Sequence, residues 1–365
     1  MDILKNSEKY TVFKVARNKK FLILKISNRS PKKISREVNH IRKLKNSSKF
    51  YYKKIPPIIK HGKIEKGINK NKGFYEMAFV DGPTLSDIFK NSIYGKNKRS
   101  RVFENLSSSL VQEIRNAKFL NQKGKNSFKI FKSLFDIEYK KIIEKDIFKN
   151  LLKRKNILIN NYYLLNISFC LKKIFNSKKI KHLSKNYSYI CKNNHWNFHG
   201  GNIIFTSKNG KNFSIIDPDS SWKYNDPFFS IARLIYTFPH DTMEYDKYYL
   251  KSEDFIRKNR SKPISFRINY NWNKKVLKNY EDIFKNFFDN FHKKNPFYKK
   301  LNETEFLRFN LSLILCFLRG INANHQPKIY FLKKKSHNFQ NKGLYIYLFF
   351  LIYLNKFTKK LINDG

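Results

Sequence analysis

The chain has 365 residues, 41% of them hydrophobic and 16% aromatic, which excludes a disordered or low-complexity polymer and supplies a sizeable core. It carries 76 basic against 27 acidic residues, a formal net charge of +49. The lysines are spread along the whole chain. No recognition-helix pattern, zinc spacing or aromatic RNA-binding signature accompanies them, which argues against a nucleic-acid module.

Two sources of the charge stay open: a polyanionic partner, or a codon-biased proteome in which Lys, Asn, Ile, Phe and Tyr rise together. Cys170, Cys191 and Cys316 are odd in number and widely spaced, which speaks against a disulfide framework or a metal cluster. The N-terminal stretch lacks an apolar core of signal-peptide length. The longest apolar run, LYIYLFFLIYL at 344–354, falls short of the roughly 17–25 residues that span a bilayer. It reads as a buried core helix, with a membrane-surface helix as the alternative because Lys356, Lys359 and Lys360 follow it. The expectation is a cytoplasmic protein.

In chain order, YTVFKVA and KFLILKIS read as two strands joined by the turn RNKK. SPKKISREVNHIRKL follows with Ser30 as a helix N-cap, Pro31 in the first turn, and Ile34, Val38, Ile41 and Leu44 at helical spacing. Two further strands surround a Gly/Asn/Lys turn and end at VDGPTL. From Leu85 to residue 190 the texture is helical. HWNFHGGNIIF, at 195–205, and IIDPDSSW, at 215–222, then bring two short strands, and residues 226–362 read as helical again. The expected class is α+β: a small β-rich lobe over residues 1–80 and a large, mostly helical lobe over residues 81–365.

This order and four sets of residues resemble the aminoglycoside phosphotransferase and choline kinase branch of the protein-kinase-like fold. Lys25, in the strand FLILKIS, is similar to the strand lysine that contacts nucleotide phosphates, and Glu37, in SREVNHI, to the helix carboxylate that pairs with it. YEMAFVDGPTL resembles the inter-lobe connection. It puts Met77 at the back of a nucleotide pocket and the backbones of Ala78 and Val80 against the base. The catalytic loop of the family reads roughly His-Gly-Asp-x-His-x-x-Asn. Here His195 and His199 match its histidines, and Asn202 lies five residues after Asn197 (202 − 197 = 5). Asp217 then falls where the Mg²⁺-binding aspartate belongs, with Asn202 as its companion; both offer hard oxygen donors.

One residue departs from the pattern. Asn197 stands where the family has its catalytic aspartate, and a carboxamide cannot accept a proton as a general base. Three explanations stay open. Asn197 orients the acceptor hydroxyl, or Asp219 supplies the carboxylate, or the protein is a pseudokinase. The glycine-rich phosphate loop is also missing, with Ser7 and local backbone in its place. Asp226 with Pro227 reads as the capped start of the next helix, where Ser230 replaces a frequent acid. The resemblance implies an ATP- and Mg²⁺-dependent phosphotransferase acting on a hydroxyl of a small molecule, a sugar or an amino alcohol. The alternative is a catalytically impaired nucleotide-binding scaffold. A nucleic-acid-binding basic protein is a third reading that rests on charge alone.

Overall fold

The computed structural model describes residues 2–90, 119–121, 127–186, 189–191, 195, 197–207, 211–218, 226, 228–242, 248–256, 263–270, 301–328, 330–331 and 338–363, with scattered residues between 101 and 112. The chain folds as two compact units, one of residues 1–119 and 191–230 and the other of residues 120–190 and 231–365.

The first unit is built on a five-stranded antiparallel sheet: β1 (Asp2–Asn6), β2 (Tyr10–Arg17), β3 (Lys20–Ser27), β4 (Ile58–Lys63) and β5 (Gly73–Ala78), in the spatial order β1-β2-β3-β5-β4. Asn18 and Lys19 take the tight turn between β2 and β3 at φ 47° and 61°. Both positive values suit a two-residue hairpin turn, whose twist matches that of the strands. Between β3 and β4, α1 (Pro31–Ser47) starts where expected: the Ser30 side chain accepts from the Lys32 N–H, and Pro31 occupies the first turn. Its apolar stripe seals one face of the sheet, with Ile34 and Val38 against Tyr75 and Met77. A short helix, α2 (Lys49–Lys54), follows, and α3 (Leu85–Lys90) comes after the 79–84 connection.

Two later strands, β6 (Ile203–Phe205) and β7 (Phe213–Ile215), form an antiparallel hairpin in the same unit. Phe213 packs against Phe50 of α2, and the Lys54 ammonium lies 4.0 Å over the Phe213 ring. Residues 82–84 run along β6: Phe205 N–H donates to the Pro83 carbonyl at 2.9 Å, and Thr84 bridges to Ile204. This approach needs a glycine, since a Cβ at Gly82 would stand 2.1 Å from the Phe205 carbonyl oxygen.

The second unit adds strands to the mostly helical reading of residues 85–190 and 226–362. Its helices include Ser127–Ile143, Ile167–Asn176, Glu303–Ala323 and Lys342–Asn363, and it also contains a six-stranded sheet. In spatial order the strands are Tyr330–Phe331, Asn338–Gln340, Tyr248–Lys251, Ile264–Tyr270, Asn156–Ile159 and Tyr162–Leu165. The last two form a hairpin around Asn160 and Asn161 at φ 46° and 71°. Asparagine tolerates this left-handed region, so ILI-NN-YYLL turns where a helical reading of its apolar residues runs on.

The apolar run at 344–354 is a buried core segment, with Leu344, Ile346, Leu348, Phe350 and Leu351 all shut from solvent. Among the described residues one helix, Glu303–Ala323, is long and apolar enough to cross a membrane by length and composition. Most of it is buried within the chain, from Leu307 to Ile321.

Candidate active site

Lys25 lies on β3 and Glu37 lies two turns into α1. Lys25 Nζ reaches Glu37 Oε1 at 2.7 Å, and both side chains are nearly shut from solvent. The alternation of the sheet puts Tyr75 directly opposite Lys25 on β5, and the Tyr75 hydroxyl donates to the same Glu37 oxygen at 2.8 Å. Tyr10 on β2 lies over the ammonium, its ring centre 4.1 Å from Lys25 Nζ and 4.3 Å from Lys33 Nζ. The sequence reading passed over Tyr10 and Tyr75. The signal for them was the two-residue period of β2 and β5, which brings them to the face that carries Lys25.

The second carboxylate on Lys25 comes from far along the chain. Asp217 Oδ1 accepts from Lys25 Nζ at 2.5 Å. The Asp217 side chain keeps 40% of its surface in contact with solvent, against 7% for Lys25. The network is therefore sealed at its Glu37 end and open at its Asp217 end. Burial works to lower the Lys25 ammonium, but Tyr75, Glu37 and Asp217 outweigh it and hold the group well above its usual range. Burial likewise works to raise Asp217, and the Lys25 ammonium overrides it, keeping the carboxyl below its usual range. Glu37, deeper, is pushed upward by burial despite Lys25.

Asp217 follows β7 and takes φ 53°, an uncommon value for a residue with a side chain. The segment 195–202 holds it there. The buried His195 donates from Nε2 to the Ile216 carbonyl at 3.1 Å. Asn197 Nδ2 donates to the Asp217 carbonyl at 3.1 Å and contacts Oδ2 at 3.4 Å. Ile216 N–H returns to the Asn202 carbonyl at 3.0 Å, and Asn202 Nδ2 donates to the Asn197 carbonyl at 2.9 Å. The Ser230 hydroxyl donates to the His195 carbonyl at 3.0 Å, which gives this serine a bracing role.

The two histidines matched to the family loop each hold backbone groups of that loop or of the strand beside it. His195 is fully buried, and burial pushes its imidazole down to about 3, so it stays neutral and out of reach of a substrate. His199 Nδ1 accepts from the Gly201 N–H at 3.2 Å and caps the short turn Gly200–Asn202. Asp219, the other proposed acid, lies outside the described residues. Asp226 Oδ1 accepts from the Phe228 N–H at 2.8 Å and so starts the helix Phe228–Thr242.

Met77, buried on β5, faces the same side as Lys25 and packs into the core under α1. Ala78 donates its N–H to the Pro57 carbonyl at 3.2 Å. Val80 is half-buried in the connection. Ser7 uses its hydroxyl within the β1–β2 turn, donating to the Tyr10 carbonyl at 3.0 Å.

Among the described residues no cluster of three or more His, Cys, Asp or Glu is set to hold a metal. The donors present do suit Mg²⁺, which takes one or two protein oxygens and completes its shell with phosphate and water. Asp217 offers a half-exposed carboxylate. Asn202 directs its amide nitrogen to Asn197, which frees the amide oxygen for a cation.

No family model and no curated protein matches the chain. Solved structures do. A thermostable mutant of aminoglycoside phosphotransferase APH(4)-Ia aligns at TM-score 0.49 and 9% identity, over 100% of this chain and 94% of that one. Spectinomycin phosphotransferase APH(9)-Ia, crystallised with ADP and spectinomycin, aligns at TM-score 0.44 and 12% identity, over 98% and 92% of the two chains. With likenesses of this size, function has to be read from the site itself. The expected class, α+β and kinase-like, is the class observed: a small antiparallel sheet whose β3 lysine pairs with a glutamate on α1, followed by a helix-rich remainder.

Proposed function

We propose that the chain binds ATP with Mg²⁺ and transfers the γ-phosphoryl group to a hydroxyl of a small molecule, a sugar or an amino alcohol. The observation that carries this reading is Lys25 held between Glu37 and Asp217, at 2.7 and 2.5 Å. A buried ammonium, aimed by a helix carboxylate and facing a half-open aspartate, is built to receive a polyanion and its counter-ion together. The small-molecule acceptor rests on the sequence resemblance, through the His199-bearing loop.

In this reading Lys25 turns from Asp217 to the nucleotide phosphates while Glu37 keeps it aimed. Asp217 and Asn202 hold Mg²⁺ through their side-chain oxygens. The cation, when bound, neutralises charge on the transferring group. The acceptor oxygen forms a bond to the γ-phosphorus and gives its proton up to solvent water, since Asn197 cannot take it; the bond to the β–γ bridging oxygen breaks, and ADP leaves. Because such transfers pass through a loose transition state, positioning and electrostatics carry most of the rate.

A second reading is favoured by one observation: the Asn197 amide faces Asp217. The site then binds nucleotide without efficient transfer, as a scaffold. One assay separates the two. ATP binding and turnover are measured with and without Mg²⁺ against a panel of sugars and amino alcohols, with Lys25→Met and Asp217→Ala as controls. Turnover that needs an acceptor and both residues supports transfer. Mg²⁺-dependent binding without turnover supports the scaffold. Failure to bind ATP sinks both.

A further inference from the structure

Asn197 is the residue that breaks the resemblance, and its surroundings explain why an amide stands there. His195 and Asn197 lie two residues apart and cap consecutive carbonyls, His195 that of Ile216 and Asn197 that of Asp217, each at 3.1 Å. Asn197 also reaches the Asp217 carboxylate, with Nδ2 3.4 Å from Oδ2. Both partners are acceptors only, so the nitrogen end of the amide must face them. The segment closes on itself through Asn202, which donates to the Asn197 carbonyl at 2.9 Å and accepts from the Ile216 N–H at 3.0 Å. Inside this ring sits Asp217, which alone among the described residues of 195–202 and 216–217 takes a positive φ, 53°. Such conformations persist where surrounding contacts over-determine them.

We propose that Asn197 is a positioning residue for Asp217. Its amide clamps the left-handed backbone and turns the carboxylate toward Lys25 and the cation. An ionised aspartate at 197 has no hydrogen to donate to either acceptor, and it would bring a second negative charge against Oδ2. In this loop the asparagine thus acts as a clamp and not as a lost base. The inference rests on the proposed nucleotide site only for its consequence, cation and nucleotide binding. The clamp itself can be tested without ligand.

The experiment compares the full-length protein with Asn197→Ala and Asn197→Asp by thermal unfolding without ligand. Calorimetric binding of Mg²⁺ with a non-hydrolysable ATP analogue, and ATP turnover with the acceptor panel, complete the set. The clamp predicts melting temperatures in the order wild type, then Ala, then Asp. It also predicts a loss of roughly 10–100-fold in Mg²⁺-dependent analogue affinity for Asn197→Ala, the usual effect of removing a group that orients a metal ligand. A residue that served only to orient the acceptor hydroxyl would leave that affinity unchanged. Asn197→Asp should not restore the ~10²–10⁴-fold that a missing general base would return. An Asp variant that melts at or above wild type, a turnover gain of that size, or an Ala variant with unchanged affinity would each overturn the proposal. If Asn197→Asp does not fold, the Ala variant decides. If wild type binds no Mg²⁺-nucleotide, the proposed function fails and the melting order of the variants still tests the clamp.

Discussion

The two units bury different polar networks. The first holds an ionic one, Lys25 with Glu37 and Asp217 at 2.7 and 2.5 Å, beside neutral contacts such as those of His195. In the second, buried asparagines form neutral networks. Asn166 donates to the Leu151 and Arg154 carbonyls at 2.6 and 2.7 Å, and accepts from the Ile167 N–H and the Tyr347 hydroxyl. Asn355 pairs both backbone groups of Leu165, at 2.8 and 2.9 Å. Asn310 accepts from the Tyr353 hydroxyl. A neutral amide with all its partners stabilises a core and does nothing else. A buried ion pair is a poor stabiliser when compared with apolar residues of similar volume. Its retention, with one carboxylate left open to solvent, is what separates a site from a scaffold.

Removing the cation breaks the comparison most directly. Lys25→Met leaves Glu37 buried without its counter-ion, and unfolding titration should show a loss of about 3–5 kcal/mol. Mg²⁺-ATP binding should vanish in calorimetry. Adding Glu37→Gln should recover part of the stability and none of the binding. A stable Lys25→Met protein would mean that the charged network holds no special place in its unit.

Next come two glycines, one in each unit. A Cβ at Gly82 would meet the Phe205 carbonyl at 2.1 Å, and the residue lies at φ 145°, so Gly82→Ala should cost on the order of 3 kcal/mol. A Cβ at Gly320 would meet the Tyr236 hydroxyl at 1.7 Å. The ring itself is in the way, with Cζ at 2.2 Å, and it is buried against Phe317. Gly320 lacks the positive φ of Gly82, and the atoms nearest its Cβ belong to a side chain and not to the backbone, so Gly320→Ala should cost about 1–3 kcal/mol, no more than Gly82→Ala. Chemical denaturation of the two variants checks the order.

The neutral side is sharpened by Asn166→Ala. It leaves buried carbonyls and a hydroxyl unpaired and should cost roughly 2–3 kcal/mol without changing Mg²⁺-ATP affinity. A shift in that affinity would blur the division between the units.

The smallest effect concerns two thiols of the second unit. Burial pushes Cys170 up to about 11 and Cys316 up to about 12, so both are protonated at pH 8, where a free thiol is partly ionised. Alkylation at pH 8 followed by mass spectrometry should leave both unlabelled in the native protein and label both in denaturant. Rapid native labelling of Cys316 would contradict its placement in the core.

Local rules alone determined much of the first unit. The β2–β3 hairpin, the Ser30 cap with Pro31, and the helical stripe of Ile34, Val38, Ile41 and Leu44 act over a few residues, so they can be read in order along the chain. The Lys25–Glu37 pair was legible through the family resemblance and not through local rules; the structure brings the two together by packing α1 on the sheet. The two-asparagine turn at 160–161 was equally local, but the apolar residues around it suit a helix and a strand alike. Other features had no local sign. Gly82 is required by a carbonyl at Phe205, more than a hundred residues away. Asn197 faces acceptors at Asp217; its letter, read alone, left three explanations open, and this contact was not one of them. Tyr10 and Tyr75 joined the site through strand register. Backbone propensity and periodicity are properties of short segments. A hydrogen bond across distant segments exists only after packing has brought them together, and that step assigned Asn197 its role.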